Sequence, residues 1–301
     1  MRRLNQVLQE QYGEKVYKLS LSSGCTCPNR DGTLGTGGCS FCSEGGSGDF
    51  AAAPAPLEEQ IREAKARVAG KTDARKFIAY FQAYTNTYGD LARLEALYTE
   101  ALAREEIVIL SLATRPDCLG DEVMGMLRRL KARKPLWIEL GLQTIHEETA
   151  RAFHRGYDLA CFADACRRLK AEGIAVIVHV IFGLPGESRE DMLDTVRYLA
   201  ALDPPPDGVK LQMLHILRGT EWGRRYEAEP FPLLTLEEYA ELVAESVRIL
   251  PEETVLHRVT GDGPGQLLIA PEWTRNKKRV LNAVRAAFDR DGAVQGSRWQ
   301  E

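Results

Sequence analysis

The sequence predicts an α/β protein whose main part is a partial (βα)6 barrel of the TIM type, followed by a C-terminal α/β extension. Between about residues 14 and 217, segments patterned as strands alternate with segments that have the period of a helix. The strand-like segments are almost continuously apolar, as in parallel sheets whose two faces are covered. Cysteines and polar residues follow the strand ends, where such barrels carry their sites. We therefore predict a barrel domain over residues 1–217 and an extension over residues 218–301 that closes the barrel.

The individual elements follow from local patterns. Residues 15–21 alternate between apolar and polar side chains, which predicts the first strand. The helical segments place an apolar residue every three or four positions. The predicted strands are 15–21, 76–83, 107–113, 136–142, 174–182 and 209–216, and the predicted helices between them are 56–68, 91–102, 121–132, 157–171 and 188–202. In the extension, the sequence predicts a helix at 236–250, a strand at 255–259, a glycine-rich turn at 261–265 and a helix at 275–288.

Composition excludes several classes of protein. The chain has 301 residues, a formal net charge of −4 and 44% hydrophobic residues, which fits a globular protein with a sizeable core. No apolar stretch reaches the roughly 18–20 residues that a membrane-spanning helix needs, and the first residues lack the apolar segment of a secretory signal. We expect a cytoplasmic protein with no membrane partner. A slightly acidic chain has no bulk attraction for nucleic acid.

Four of the seven cysteines fall in one short segment, at Cys25, Cys27, Cys39 and Cys42. In a reducing compartment such a cluster indicates a metal site more often than disulfides. The spacing allows two kinds of site. Four thiolates can bind one zinc ion in a structural knuckle, or cysteines around a glycine-rich loop can hold an iron–sulfur cluster. A cluster held by three cysteines leaves one iron open, as a catalytic metal centre requires.

The segment CPNRDGTLGTGGCSFC, residues 27–42, resembles the cluster loop of radical S-adenosylmethionine (SAM) proteins of the branch related to the Elongator catalytic subunit. In that branch the first and second cysteines are farther apart than in most of the superfamily. The resemblance implies Cys27, Cys39 and Cys42 as cluster ligands and Phe41 as the aromatic residue near the SAM adenine. It leaves Cys25 outside the ligand set.

The resemblance covers nearly the whole chain and is closest to a small bacterial group of radical SAM proteins. Five further segments carry it: YFQAYTNTY (80–88), ATRPDC (113–118), ELGLQT (139–144), FGLPGE (182–187) and HRVTGDGP (257–264). It implies a [4Fe–4S] cluster that reductively cleaves SAM to methionine and a 5′-deoxyadenosyl radical, which abstracts hydrogen from a substrate. The expected electron donor is a flavodoxin or ferredoxin.

The same resemblance implies which residues contact SAM. Gln82 is expected at the methionine end, Glu139 and Gln143 as polar contacts flanking the fourth strand, and Arg155 as a partner of the SAM carboxylate. Leu184, in the GLPGE turn, is expected on the adenine side. For Glu139 an alternative is a barrel-interior carboxylate satisfied by protein partners, because buried charges need partners whether or not they touch a ligand.

Other reactive side chains have weaker assignments. Cys118 is a candidate for a catalytic thiol, with a bystander role as the alternative. Cys161 and Cys166 are five positions apart on a predicted helix, hence on different faces, and we predict no second cluster there. His179 interrupts an apolar strand and is interpreted either as a core histidine or as a substrate contact.

The resemblance favours a tRNA or nucleoside substrate, and the basic face of helix 275–288 is compatible with phosphate contacts. That face is also typical of a solvated surface helix. A small metabolite or a protein partner is an alternative substrate. The alternative of another class is a non-catalytic iron–sulfur or zinc protein that acts as a sensor or scaffold.

Overall fold

The computed structural model describes residues 1–46, 48–70, 72–261, 263–290 and 292–299. Its main feature is a sheet of parallel strands that curls into a half-barrel. In chain order the nine strands of the described residues are β1 (Val16–Leu21), β2 (Lys76–Phe81), β3 (Ile107–Thr114), β4 (Leu136–Gln143), β5 (Ala175–Phe182), β6 (Gly208–Met213), β7 (Ile216–Leu217), β8 (Val255–Arg258) and β9 (Leu268–Ala270). The predicted fold class, a partial barrel of the TIM type, is confirmed.

The sheet contains one strand more than the six of the sequence prediction. Its order is β1-β2-β3-β4-β5-β6-β8, with every pair parallel. The seventh strand, β8, lies in the segment that the sequence assigned to the extension. The pattern of a four-residue strand is too short to show which sheet it joins. The predicted strand 209–216 is split instead, because β7 leaves the sheet and pairs antiparallel with β9.

Helices surround the sheet: most of them cover its outer face, and three short ones pack against its interior face at the ends of the half-barrel. The helices are α1 (Leu4–Tyr12), α2 (Leu57–Val68), α3 (Leu91–Ala103), α4 (Asp121–Lys131), α5 (Glu147–Ala152), α6 (Leu159–Ala171), α7 (Arg189–Ala201), α8 (Glu221–Ala228), α9 (Leu236–Ile249) and α10 (Lys277–Arg290). The sequence analysis missed α1, α5 and α8. All three are short, and in two of them the buried residues are too few to give a periodic stripe: Leu8 in α1, and Trp222 with Gly223 in α8.

The main core lies between the outer face of the sheet and these helices. It is built from alternate strand residues, such as Leu110 and Leu112 of β3, and from the apolar faces of α3, α4, α7 and α9. Because this face of the sheet is satisfied by helices, the opposite face is left to line the interior of the half-barrel. Polar side chains on the strands are therefore brought together in that interior.

The amino-terminal residues cover the outer edge of β8. The amide of Leu256 donates to the carbonyl of Arg2 at 2.8 Å, and Arg3 forms a parallel bridge with Leu256. The amide of Arg2 in turn donates to Oε1 of Gln295 at 2.6 Å. The two ends of the described chain thus meet at the last strand of the sheet. None of the helices in the described ranges is both long and apolar enough to cross a lipid bilayer.

Candidate functional site

The cysteine-rich loop lies between β1 and α2, at the carboxyl end of the parallel strands. Cys27, Cys39 and Cys42 line one cavity of about 180 Å³. Cys25 does not: it is buried in the main core, with its sulfur 3.8 Å from Nη2 of Arg93. The four-cysteine arrangement of a zinc knuckle is therefore not assembled, whereas the three cysteines of the resemblance face the same space.

Neighbouring side chains hold this loop in shape. The amide nitrogen of Asn29 donates to the carbonyl of His154 at 2.6 Å and to Sγ of Cys39 at 3.5 Å. The guanidinium of Arg30 donates to the carbonyl of Ser43 at 2.6 Å. Gly38 adopts φ 76°, and a Cβ there would come within 2.8 Å of Arg30. The glycine is thus required both by its left-handed backbone and by the close approach of Arg30.

Phe41 belongs to an aromatic group beside the cysteines. Its ring centroid lies 5.2 Å from that of Phe153 and 6.0 Å from that of Trp222. Phe41 lines the cavity, and Leu184 packs in the same apolar cluster but is 2% exposed and does not line the cavity. Trp222 comes from α8, which the sequence analysis missed, so the aromatic group that packs against Phe41 includes a residue from beyond position 217.

Gln82 and Gln143 line the same cavity as the three cysteines. Gln143 has φ 64°, a conformation that side chains other than glycine rarely adopt, and it follows an irregularity in the pairing of β4 with β5. Such bulges re-aim a side chain at the end of a strand. Its Oε1 accepts from the hydroxyl of Tyr157 at 3.3 Å, and that hydroxyl also donates to the carbonyl of Gly141 at 2.8 Å. The side chain is held over the cavity at a cost in backbone strain.

Arg155 lines the cavity but is 1% exposed, and it is engaged mainly with the protein. Its guanidinium donates to the carbonyls of Thr144 at 2.7 Å and Leu142 at 3.2 Å, and to Oε1 of Glu147 at 2.9 Å, while Nε donates to the carbonyl of Tyr157 at 2.9 Å. These bonds fix the backbone that follows β4. Arg155 therefore braces the segment that carries Gln143.

Glu139 lies at the centre of a group of polar side chains inside the half-barrel, and its side chain is fully buried. Oε1 accepts from Nζ of Lys18 at 2.7 Å and from Oγ of Ser111 at 2.9 Å. Oε2 accepts from Nε2 of His179 at 2.8 Å and from Nζ of Lys210. We call this group the polar belt, and we include in it Tyr80 and Arg258, which adjoin it. Its members are Lys18, Tyr80, Ser111, Glu139, His179, Lys210 and Arg258.

The charges of the polar belt set its protonation. Burial alone raises the pKa of Glu139, but Lys18, Lys210 and the hydrogen bond from His179 hold it well below its usual value. Burial and the charge of Lys210 lower the pKa of His179 to about 4. Near neutral pH, Glu139 is therefore ionised, and His179 is a neutral imidazole that donates its Nε2 proton to the carboxylate.

Cys118 lies outside this cavity, in a separate surface groove of about 690 Å³ that Thr26, Asp117 and Val123 also line. Burial, followed by the charge of Asp117, raises the pKa of Cys118 to about 12. Its thiol is therefore protonated near neutral pH and is a poor nucleophile. Cys166 is buried in the main core, and burial also raises its pKa to about 12.

Sequence reasoning missed several members of this site. Lys210 interrupts an apolar run in its strand, which is the signal that had drawn notice to His179, whereas Lys18 stands in a strand that alternates between apolar and polar residues and so gave no such signal. Arg258 lies on β8, whose place in the sheet was not predicted. Asn29 and Tyr157 carry no local pattern that reveals a role, because their partners, His154 and Gly141, are distant or backbone groups.

The donor set fits an iron–sulfur cluster with an open iron. Three thiols line one cavity, and its lining among the described residues includes no fourth thiol. Two of these thiols lie close together, because a hydrogen bond with Cys42, followed by burial, raises the pKa of the Cys39 thiol. Within the described ranges, no three His, Cys, Asp or Glu side chains are gathered closely enough to hold a metal ion.

Comparison with known proteins supports the same family. The family model described as "Radical SAM superfamily" matches residues 26–199, and the model described as "Radical_SAM C-terminal domain" matches residues 206–290. Protein YtqA of Bacillus subtilis is 43% identical over 298 residues, which cover 99% of this chain and 92% of that protein. The tRNA uridine(34) acetyltransferase of Methanocaldococcus jannaschii is 27% identical over 178 residues, which cover 58% of this chain and 32% of that protein.

Among solved structures, the archaeal Elp3 of Methanocaldococcus infernus superposes with a TM-score of 0.69 at 17% identity, over 93% of this chain and 64% of that one. At this identity the likeness shows a shared fold. The family match covers more than half of the chain and includes the cysteine loop. This chain therefore belongs to the radical SAM superfamily and is an enzyme of that family, whose members use a [4Fe–4S] cluster and SAM.

Proposed function

We propose that this enzyme abstracts a hydrogen atom from a nucleoside, in tRNA or free, as a step in its modification. When bound, the reduced cluster and SAM together supply a 5′-deoxyadenosyl radical and methionine. The chain's own residues bind these groups, orient them and exclude water. The observation that carries the proposal is the convergence of Cys27, Cys39 and Cys42 on one cavity that Gln82 and Gln143 also line.

The three cysteines are proposed as the cluster ligands. Cys25 is turned into the core beside Arg93, so a substitution there leaves the ligand set intact. Asn29 supports the ligand set by donating to the sulfur of Cys39. Hydrogen bonds to cluster sulfurs are one means by which a protein sets the reduction potential.

Four residues are proposed to position SAM. Phe41, whose ring packs at a tilt against those of Phe153 and Trp222, offers an aromatic surface for the adenine, and Leu184, which does not line the cavity, supports that surface from within the same apolar cluster. The amides of Gln82 and Gln143 line the cavity and offer both donors and acceptors to the amino-acid end of SAM.

Glu139 and Arg155 are proposed to act mainly through other groups. The carboxylate of Glu139 accepts four hydrogen bonds from protein side chains. The guanidinium of Arg155 donates most of its hydrogen bonds to backbone carbonyls and to Glu147. Glu139 thus orients the cations of the polar belt, and Arg155 holds the backbone beside Gln143. Cys118 lines the neighbouring groove rather than this cavity, and we propose that it is not needed for the radical chemistry.

Two observations support a nucleoside in tRNA over a small metabolite. The similarity to a tRNA uridine(34) acetyltransferase covers 58% of this chain. The carboxyl-terminal helix α10 exposes Lys278, Arg279 and Arg285, which can contact phosphates. A protein substrate has no comparable support. We also propose a flavodoxin or ferredoxin as the electron donor and the cytoplasm as the site of action.

The test begins with anaerobic reconstitution followed by SAM and dithionite, with 5′-deoxyadenosine measured by mass spectrometry. We expect about four irons per chain and 5′-deoxyadenosine formation, and Cys39→Ala should show neither. Protein with stoichiometric zinc, no retained iron and no cleavage would instead support the non-catalytic scaffold.

The substrate is tested separately. The reconstituted enzyme, SAM and a reductant are incubated with tRNA from cells that lack this protein, and the digested nucleosides are compared by mass with those of untreated tRNA. A nucleoside whose mass changes only with active enzyme supports the proposal. SAM cleavage in the presence of tRNA whose nucleosides all keep their mass would reject tRNA and direct the search to small metabolites.

A further inference from the structure

The turn that carries Cys39 and Cys42 is held through Ser40, which lies between them and is 1% exposed. The amide of Cys42 donates to the carbonyl of Cys39 at 2.9 Å and closes the turn. The amide of Ser40 donates to the carbonyl of Phe153 at 3.2 Å, and the carbonyl of Ser40 accepts from the amide of Trp222 at 2.9 Å. Both backbone groups of Ser40 are thus bonded to segments that are distant in the chain.

The side chain of Ser40 is bonded as well. Its Oγ donates to Oε2 of Glu221 at 3.0 Å. Nδ1 of His154 lies 3.4 Å from the same hydroxyl and 3.5 Å from the same carboxylate oxygen. Glu221 and Trp222 are the first two residues of α8. This helix therefore contacts the turn twice, through a carboxylate and through a backbone amide.

Helix α8 is itself fixed to the carboxyl-terminal part of the chain. The hydroxyl of Thr220 accepts from the amide of Gly223 at 2.9 Å and donates to the carbonyl of Leu217 at 2.8 Å. A Cβ on Gly223 would clash with that carbonyl, so the helix packs directly on β7. Because β7 pairs with β9, the turn is supported by a ribbon that lies outside the main sheet.

The carboxylate of Glu221 also places a negative charge beside the turn. A negative charge near a redox centre favours its oxidised state and lowers its reduction potential. A cation adjoins the turn too, since the guanidinium of Arg30 donates to the carbonyl of Cys42 at 3.2 Å. The side chain of Glu221 is 51% exposed, so water and dissolved salt screen part of its charge. Any effect of this charge should therefore depend on ionic strength.

We infer that Glu221 is a positioning residue of the cluster site, which holds the Cys39–Cys42 turn through Ser40 and lowers the reduction potential of the cluster by its charge. This inference rests on the proposed function in that Cys39 and Cys42 are taken as cluster ligands. Reductive cleavage of SAM requires a strongly reducing cluster, and a nearby carboxylate contributes to that property. The metal site thus includes a residue from beyond the segment 26–199 that matches the radical SAM model.

The first test measures the reduction potential. Glu221→Gln keeps an oxygen that can accept from Ser40 but removes the charge. The reconstituted variant and the unmodified protein are titrated anaerobically without SAM, and the reduced cluster is followed by electron paramagnetic resonance. We expect about four irons in both proteins and a more positive midpoint potential in the variant. The difference should be larger at about 0.05 M salt than at about 1 M, where the Debye length is only about 3 Å.

The matched control is Glu227→Gln, in the last turn of the same helix. Glu227 is exposed, and its substitution removes the same charge from the far end of α8. This variant should leave the potential unchanged. A shift of equal size in both variants would show that the potential responds to the net charge of the protein and would overturn the role of Glu221.

The second test measures how firmly the turn is held. Amide hydrogen exchange of residues 39–46 is followed by mass spectrometry in the full-length protein after the reconstitution step. Glu221→Ala should speed this exchange by at least about threefold, as the loss of one net hydrogen bond allows. Glu221→Gln should exchange as the unmodified protein does, because its amide oxygen still accepts from Ser40.

Three further results would overturn the inference: an unchanged potential in Glu221→Gln, a shift of the same size at low and high salt, or unchanged exchange in Glu221→Ala. The proposed function fails by different results. Iron-loaded protein that shows the expected shifts but leaves tRNA unchanged would reject the nucleoside substrate and leave this inference standing. Unmodified protein that retains no iron would reject both the cluster ligands and the role of Glu221.

Discussion

Nζ of Lys18 on the first strand lies 2.7 Å from Oε1 of Glu139 on the fourth, across the interior of the half-barrel. The other oxygen of the same carboxylate accepts from Lys210 on the sixth sheet strand. Glu139 thus joins three strands that do not neighbour one another in the sheet. Its substitution should affect both the stability of the barrel and the shape of its interior.

Glu139→Gln should destabilise the protein by about 3 to 5 kcal/mol, because it leaves two lysines beside a neutral amide. The measurement is the free energy of unfolding in urea. The matched control is Glu95→Gln, which breaks the surface pair with Arg129 and should cost below about 1 kcal/mol. Adding Lys210→Met to Glu139→Gln should restore part of the loss. Equal effects of the two Gln variants would contradict a structural role for Glu139.

His179 should make stability depend on pH. Burial and the charge of Lys210 lower its pKa to about 4 in the folded protein, against about 6.5 in the unfolded chain. Between these values the unfolded state binds the proton and the folded state does not, so the free energy of unfolding falls as the pH is lowered from about 6.5 toward 4. His179→Gln should make this dependence shallower. An identical pH profile in the variant would show that the titrating group lies elsewhere.

Removal of single cysteines should separate ligands from bystanders. Cys27→Ala, Cys39→Ala and Cys42→Ala should each retain less than about one iron per chain after anaerobic reconstitution, whereas Cys25→Ala should retain about four. Iron and sulfide assays with the visible absorption spectrum give the result. Cys25→Ala is the control for loss of a thiol from the same segment. Full clusters in any of the first three variants would remove that residue from the ligand set.

The thiol of Cys118 should react slowly with alkylating reagents. With a pKa of about 12, its thiolate fraction at pH 8 is about 10⁻⁴, compared with roughly a quarter for an unperturbed thiol. Mass spectrometry after a timed reaction with iodoacetamide, in native and urea-unfolded protein, measures the difference. Cys118→Ser should also keep 5′-deoxyadenosine formation. Loss of that activity in a stably folded variant would return Cys118 to the catalytic candidates.

Gln143→Gly and Gln143→Ala should separate backbone strain from ligand contact. Both remove the amide and should weaken SAM binding to the same degree. Glycine adopts φ 64° without strain and alanine does not, so the glycine variant should be the more stable of the two by about 1 kcal/mol. Equilibrium dialysis of SAM and urea unfolding give the two readouts. Unchanged SAM affinity in both variants would show that Gln143 does not contact the cofactor.

The sequence predicted the strands of the half-barrel well, because apolar runs bounded by turn residues are local signals. It did not place β8, since four residues carry no information on their partner strand, and Arg258 was missed with it. The cysteine loop and Phe41 were found through a resemblance. The sequence did not reveal that four side chains bind Glu139, because these side chains come from β1, β3, β5 and β6. Only the closure of the sheet brings them together.

The segment 257–264 shows the same limit. His257 and Arg258 are described and lie at the polar belt, whereas Asp262, in the predicted glycine-rich turn, lies outside the described residues. The residues of this sequence motif therefore lie in two different places in the structure. Its first two residues line or adjoin the barrel interior, and Gly261 and Gly263 pack against the ring of His215.

The late position of β8 in the chain has a consequence for synthesis on the ribosome. The cysteine loop emerges early, but Arg258 emerges only after β1 to β6 and two helices of the carboxyl-terminal part have been made. Domains fold as they leave the ribosome, amino-terminal parts first. A nascent chain therefore contains Cys27, Cys39 and Cys42, the proposed cluster ligands, well before it contains Arg258, which lines the same cavity. Premature termination after β6 would yield a polypeptide with these thiols and no strand to cover the last edge of its sheet, a form that quality-control proteases should remove.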